Sequence, residues 1–235
     1  MNEFSILYKY TQTNTLFMLR IEERLYTPFC AIDRKHFIEW LFTQQRCLKL
    51  KISTIFLAVR ILDKYTSNQT KRPSKLRLLV STILVIACKY EEVFSSQISF
   101  KDLQREHNVP IKYFVCLERN ILERLDYNLG FSIAPFHLWN LCKITNTESM
   151  IKRFSLFLLC SSLFDPISSQ YLPSELACAS LAVARGQNHR WSYEDHQVTG
   201  YNSFDFTDAT ILVQRWEPSM TYLYRRFIRD QLKFN

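Results

Sequence analysis

Five histidines, seven cysteines and a scatter of serines and carboxylates are the groups of this 235-residue chain that could bind metal or do catalysis. Their spacing supports neither. His36, His107, His137, His189 and His196 are dispersed. Histidines 189 and 196 stand seven apart and would share a helical face, but no third ligand sits at a zinc-site spacing. The cysteines (Cys30, Cys47, Cys88, Cys116, Cys142, Cys160, Cys178) are odd in number, widely spread and mostly set in apolar stretches, with no C-x-x-C pair. That pattern reads as reduced core thiols, not as a disulfide framework. No serine stands in a G-x-S-x-G context, and with only Gly130, Gly186 and Gly200 the chain holds neither a P-loop nor a dinucleotide fingerprint. The expectation is a protein that is not an enzyme, with no cofactor, no metal and no small-molecule substrate.

The charge balance is +8, with basic runs at Lys49/Lys51, Lys71/Arg72/Lys75/Arg77 and Arg225/Arg226/Arg229. Basic residues alternate with acids, as in IEER, LERNILERLD and YEDH, so they do not gather into the stripe that a nucleic-acid groove requires. They suit an acidic protein partner or a solvated surface. The N-terminus MNEFSILYKY lacks a long apolar region, and no segment reaches 18 uncharged apolar residues. No membrane span is expected, and the reading is of a soluble protein of the nucleus and/or cytoplasm, KRPSK being a weak import signal.

The elements that would hold these groups are helical almost throughout. From Lys75 to Glu92 an uncharged stretch, Leu78 to Cys88, ends abruptly in Lys-Tyr-Glu-Glu. A helix apolar all round must be enclosed by other helices, and at about 1.5 Å per residue this one crosses only half a hydrocarbon layer. It is the central rod of a bundle, and the charges mark where it surfaces. Around it the periodicity predicts a short helix over 16–26, one capped by Asp33 with Phe37, Trp40, Leu41 and Gln44 on one face, and one from Ser53. Ser99 opens a short helix, and Pro110 a long one closed by Asn128 and Gly130. The order then repeats: helices from Pro135, after Thr147 and from Pro173/Ser174, then WSYEDHQVTG and a last segment interrupted at Pro218. This gives an all-α chain of two tandem five-helix domains: an N-terminal segment 1–31, a first domain 32–130 and a second 131–235.

At this point the residues resemble a family. Five positions, Arg34, Asp63, Leu78, Lys89 and Glu118, match the residues that mark the first cyclin box. The text around them, RKHFIEWL, LAVRILDKY, LLVSTILVIACKYEE and ERNILERLDYNL, is similar to its helices. LPSELACASLAVAR and WSYEDHQVTGYNSFDF resemble parts of a second box. TGY and KYEE bring the text nearest to cell-cycle cyclins of the A and B types. The resemblance implies a regulatory subunit that binds and activates a cyclin-dependent serine/threonine kinase as a heterodimer. It implies a buried ion pair between Arg34 and Asp63, a core role for Leu78, and kinase contacts by Lys89 and Glu118, with Ile86, Tyr90, Leu122 and Leu129 lining a pocket beside them.

The chain also departs from the pattern. In these cyclins a substrate-docking patch runs M-R-A-I-L-x-x-W with an acid three positions on, whereas residues 33–40 read DRKHFIEW, with Thr43 at the acidic place and Arg77 at a usually uncharged one. Only Phe37 and Trp40 survive, and the patch reads as degenerate. Arg-x-x-Leu strings at 119–122 and 153–156 fall inside expected helices, which removes them as degradation signals. Two other readings share the fold: a cyclin-fold scaffold that activates no kinase, and a DNA-binding core like that of transcription factor IIB. The first differs in a kinase assay, the second in lacking the Lys/Glu pair.

Overall fold

A computed structural model describes residues 18–25, 31–67, 75–93, 99–186 and 191–215. The expectations for residues 16, 17 and 26, Cys30, residues 71–74 of the KRPSK run, His189 and everything beyond Arg215, Pro218 included, lie outside the described residues. Among the described residues every regular element is a helix. The chain divides into two compact units. One comprises Arg24–Ile133 with Asp165–Gln170, and the other Met1–Glu23, Ala134–Phe164 and Tyr171–Asn235, each in its described part.

The first unit holds α1 (Ala31–Leu48), α2 (Ile52–Thr66), α3 (Leu76–Glu91), α4 (Phe100–His107) and α5 (Ile111–Arg124). The apolar rod is α3: every residue from Leu79 to Cys88 is buried, and Lys89 and Tyr90 emerge at its end. It packs against all four other helices of the unit. An uncharged helix has no face to show water, so enclosure is the only placement that does not leave apolar surface wet. Leu78 is half-buried, at the edge of the core and not in its centre. Helix α2 is as enclosed as α3, with Lys64 alone escaping burial. The sequence did not single out α2, because Arg60, Asp63 and Lys64 disguise it as amphipathic.

Two boundaries differ from expectation for a local reason. α5 stops at Arg124, not near Gly130. Asp126, at φ 50°, donates from its N–H to Glu123 O (3.1 Å), and Tyr127 N–H to Leu122 O (2.8 Å). That double closure ends a helix with a left-handed residue, and aspartate tolerates the conformation nearly as well as glycine. α1 starts at Ala31, placing Asp33 inside its first turn and not at the cap. By contrast Ser99 caps α4 as read, in a reciprocal box with Asp102.

The second unit holds α6 (Ala134–Ile144), α7 (Ser149–Ser162), α8 (Pro173–Arg185), α9 (Tyr193–Thr199) and α10 (Thr207–Arg215). Helix α8 is central here, buried from Pro173 to Leu181 and packed on α6, α7 and α10. Its alanines and serines let neighbouring helices approach closely. Glu148, not Thr147, stands at the N-cap position of α7 and makes no side-chain cap hydrogen bond, while the Thr147 hydroxyl faces that of Thr145 at 2.7 Å. The W…TGY segment is a structural clasp. Trp191 donates from its indole N–H to Tyr201 O (2.8 Å), Asp195 accepts from Arg185 (2.8 Å) and boxes Ser192, and Gly200 ends α9 at φ 75°.

Candidate functional site

The sequence places Lys89 immediately after the buried stretch of α3 and Glu118 midway along α5, and packing of α3 on α5 brings them together. Lys89 Nζ donates to Glu118 Oε1 at 2.7 Å. The lysine side chain is 49% exposed and the glutamate 17%. Tyr90, the next residue of the rod, is 53% exposed, and its hydroxyl reaches the loop after α5 to lie against Gly130. Leu122 and Leu129 are half-buried, while Ile86 is 2% exposed and belongs to the interior. The result is a surface patch of one paired cation, one carboxylate and a tyrosine ring, with leucines at its edge. Val93 just beyond α3, Val115 near the start of α5 and Tyr127 just beyond its end are further exposed apolar side chains. The sequence reading missed these three.

A second pair of the same charges sits in the same unit under opposite conditions. Arg34 donates from Nη1 to Asp63 Oδ1 (2.7 Å) and from Nη2 to Asp63 Oδ2 (3.1 Å). The two side chains are 1% and 4% exposed. Arg34 also reaches Ser168 Oγ at 3.4 Å and lies 5.9 Å from the Phe37 ring centre. This fork-to-fork arrangement satisfies both charges internally, as a buried pair must be.

The glutamates that end the rod do not simply face water. Lys51 N–H donates to Glu92 Oε1 (2.8 Å), as does Thr54 Oγ1 (2.5 Å), and Ser53 Oγ donates to Glu91 Oε2 (2.9 Å). Helix α2 has no side-chain cap of its own, so the end of α3 supplies two carboxylates where the α2 dipole is positive. Glu92 also raises the Cys88 thiol, which burial in the first place pushes up to about 12. Burial likewise raises Cys142, Cys160 and Cys178, so none of these four supplies a thiolate nucleophile at neutral pH.

Phe37 and Trp40 are the residues that the sequence reading left to a degenerate docking patch. Phe37 is 6% exposed and offers little surface, Trp40 is half-buried, and His36 and Thr43 are exposed. Arg77 is 71% exposed and pairs with Glu106 at 3.0 Å.

In the second unit Ser174, His137 and Glu22 come together, the residue types of an acyl-transfer triad, in the wrong order. Glu22, not the histidine, is the hub: it accepts from Ser174 N–H (2.7 Å), Ser174 Oγ (2.5 Å) and His137 Nε2 (3.0 Å). A nucleophilic serine needs the imidazole as its base. Here the carboxylate takes the hydroxyl hydrogen bond and serves as a cap for α8. No cluster of metal-ligating side chains exists among the described residues, and no helix among them is long and apolar enough to cross a membrane.

The family model described as "Cyclin, N-terminal domain" matches residues 20–130, the span that holds both ion pairs. Residues 20–130 are thus similar to a cyclin N-terminal domain. Over 150 residues it is 30% identical to the G2/mitotic-specific cyclin-B of Dictyostelium discoideum, covering 63% of this chain and 34% of that one. Over 172 residues it is 30% identical to the meiosis-specific cyclin rem1 of Schizosaccharomyces pombe, covering 72% of this chain and 42% of that one. The chain thus spans about a third to two-fifths of the length of these relatives. The structure of a viral cyclin from herpesvirus saimiri matches with a TM-score of 0.72 at 17% identity, covering 91% of this chain and 99% of the viral one. That likeness is one of fold, and it extends beyond the cyclin N-terminal domain into the second unit.

Proposed function

We propose that this chain is a cell-cycle cyclin that binds a cyclin-dependent serine/threonine kinase and activates it, the second unit serving as the second cyclin box. The observation that carries the reading is the Lys89–Glu118 pair. It stands on the surface of the matched domain beside an exposed tyrosine, while the other pair that the resemblance marks, Arg34–Asp63, is spent on the core. A kinase whose key helix is rotated out lacks the Lys–Glu ion pair that holds ATP phosphates. A partner that binds only the rotated-in state shifts the population toward activity, so activation equals differential binding. Lys89 and Glu118 are charge-bearing anchors for the polar edge of that helix, and Tyr90 with Leu122 and Leu129 supplies the apolar centre of the interface. The partnership belongs in the nucleus and/or cytoplasm. Substrates with Arg-x-Leu motifs are not recruited through α1 and α3, since Phe37 is withdrawn and the Arg77 guanidinium repels a cationic peptide.

The test is direct. The purified chain is titrated against a panel of purified cyclin-dependent kinases, and each kinase is assayed on a peptide substrate with and without it. One kinase binds and gains activity by tenfold or more. Binding without gain establishes the scaffold reading instead, and binding to none of the panel overturns the proposal.

A further inference from the structure

Lysine 89 is held from two sides, and only one of them is a charge. Besides the bond to Glu118, its ammonium lies 4.7 Å from the centre of the Phe100 ring. Phe100 is itself fixed. It is the first residue of α4, whose start is set by the reciprocal Ser99–Asp102 box, with Ser99 N–H donating to Asp102 Oδ2 (3.0 Å). Its ring stacks on that of Phe114 at 5.8 Å and 20°, and Phe114 is fully buried.

We propose that Phe100 is a positioning residue that holds the Lys89 ammonium in place for a partner's acceptor. The inference rests on the reading of Lys89 as a kinase contact. An ammonium has three donors, and among the described residues Glu118 takes the only hydrogen bond it makes. A second carboxylate in the position of Phe100 would consume another donor and leave the site net negative. An aromatic face attracts the cation through its quadrupole, accepts no conventional hydrogen bond and cancels no charge. A lysine chain free to rotate must be ordered when the partner arrives; one braced by Phe100 is ordered beforehand, so binding costs less. Helix α4 thereby acts on the interface through one ring.

Two measurements test this. In the isolated chain, the ε-methylene protons of Lys89 are shifted upfield by the ring in NMR spectra, and Phe100→Leu returns them to ordinary lysine values. With the cyclin-dependent kinase that binds most tightly in the panel above, Phe100→Leu weakens affinity by about three- to fivefold, the size of an exposed cation–π contact. Phe100→Tyr, which keeps the ring face, restores affinity to within about twofold of the unsubstituted chain. In a Lys89→Ala background Phe100→Leu has no further effect. If affinity falls on Lys89→Ala but not on Phe100→Leu, or if Phe100→Leu costs as much without Lys89 as with it, the proposal is overturned. Affinity indifferent to Lys89 overturns the kinase-contact reading, and this inference with it.

Discussion

Arg34–Asp63 and Lys89–Glu118 are both cation–carboxylate pairs at 2.7 Å, both bridge two helices of the first unit, and they differ in water. The first is 1% and 4% exposed, the second 49% and 17%. Separation therefore says little about role. A buried pair adds little net stability while intact, because desolvation offsets attraction, yet either member alone is a stranded charge. An exposed pair is worth about 0.2–1 kcal/mol and its loss strands nothing, since water replaces the partner. One pair is committed to holding α1 against α2, and the other, on the function proposed above, trades its internal bond for contacts with another protein.

The largest effect that would break this contrast is in the core. Arg34→Ala leaves the Asp63 carboxylate facing no guanidinium, and urea unfolding should show a loss of about 3–5 kcal/mol. A loss under about 1 kcal/mol would mean that Asp63 reaches water, and the two pairs would then be alike. An intermediate case sharpens the contrast. Glu92 is half-buried and accepts two hydrogen bonds at the start of α2, so Glu92→Gln, which removes its charge but not its size, should cost about 1 kcal/mol.

The smallest expected effect is a pH dependence at His107. Its ring faces Ser81 Oγ at 2.9 Å and packs on Phe114, and its pKa is lowered by partial burial first, Glu106 opposing and Arg77 assisting. The unfolded chain thus takes the proton before the folded one does. The stability this group contributes is complete above the ordinary histidine value near pH 6.5 and is lost as pH falls below it. Melting temperature followed from about pH 7.5 to 5.5 should drop, and His107→Gln should flatten that part of the curve.

How much of this was legible beforehand differs between fold and surface. The all-helical architecture was plain in the apolar periodicity, and the rod α3 was readable because a run from Leu79 to Cys88 without a charge leaves packing no choice. The end of α5 was misread, since Asp126 took the left-handed position that the sequence offered more obviously to Gly130. The meeting of Lys89 with Glu118 was legible only through family resemblance, because nothing local links residues 29 apart. Phe100 and the glutamates of KYEE were invisible for the same reason. The capping box fixed where α4 begins, but not which side chain of α3 its first ring would meet. Glu91 and Glu92 looked like a solvated end and turned out to cap α2 across the bundle. Glu22 was likewise hidden, being a carboxylate whose partners, Ser174 and His137, lie more than a hundred residues away.

The central claim is that Lys89 and Glu118 face a partner and do not hold the fold. The measurement that tests it most directly compares the Lys89→Ala/Glu118→Ala double variant with the unsubstituted chain, in urea unfolding and in calorimetric titration with the bound kinase. Unfolding free energy should change by no more than about 1 kcal/mol while affinity falls about 30-fold or more, the loss of two charge-assisted anchors at an interface centre. A variant that loses several kcal/mol of stability yet binds and activates the kinase undiminished when folded would contradict the account, and the pair would then be an internal salt bridge and nothing more.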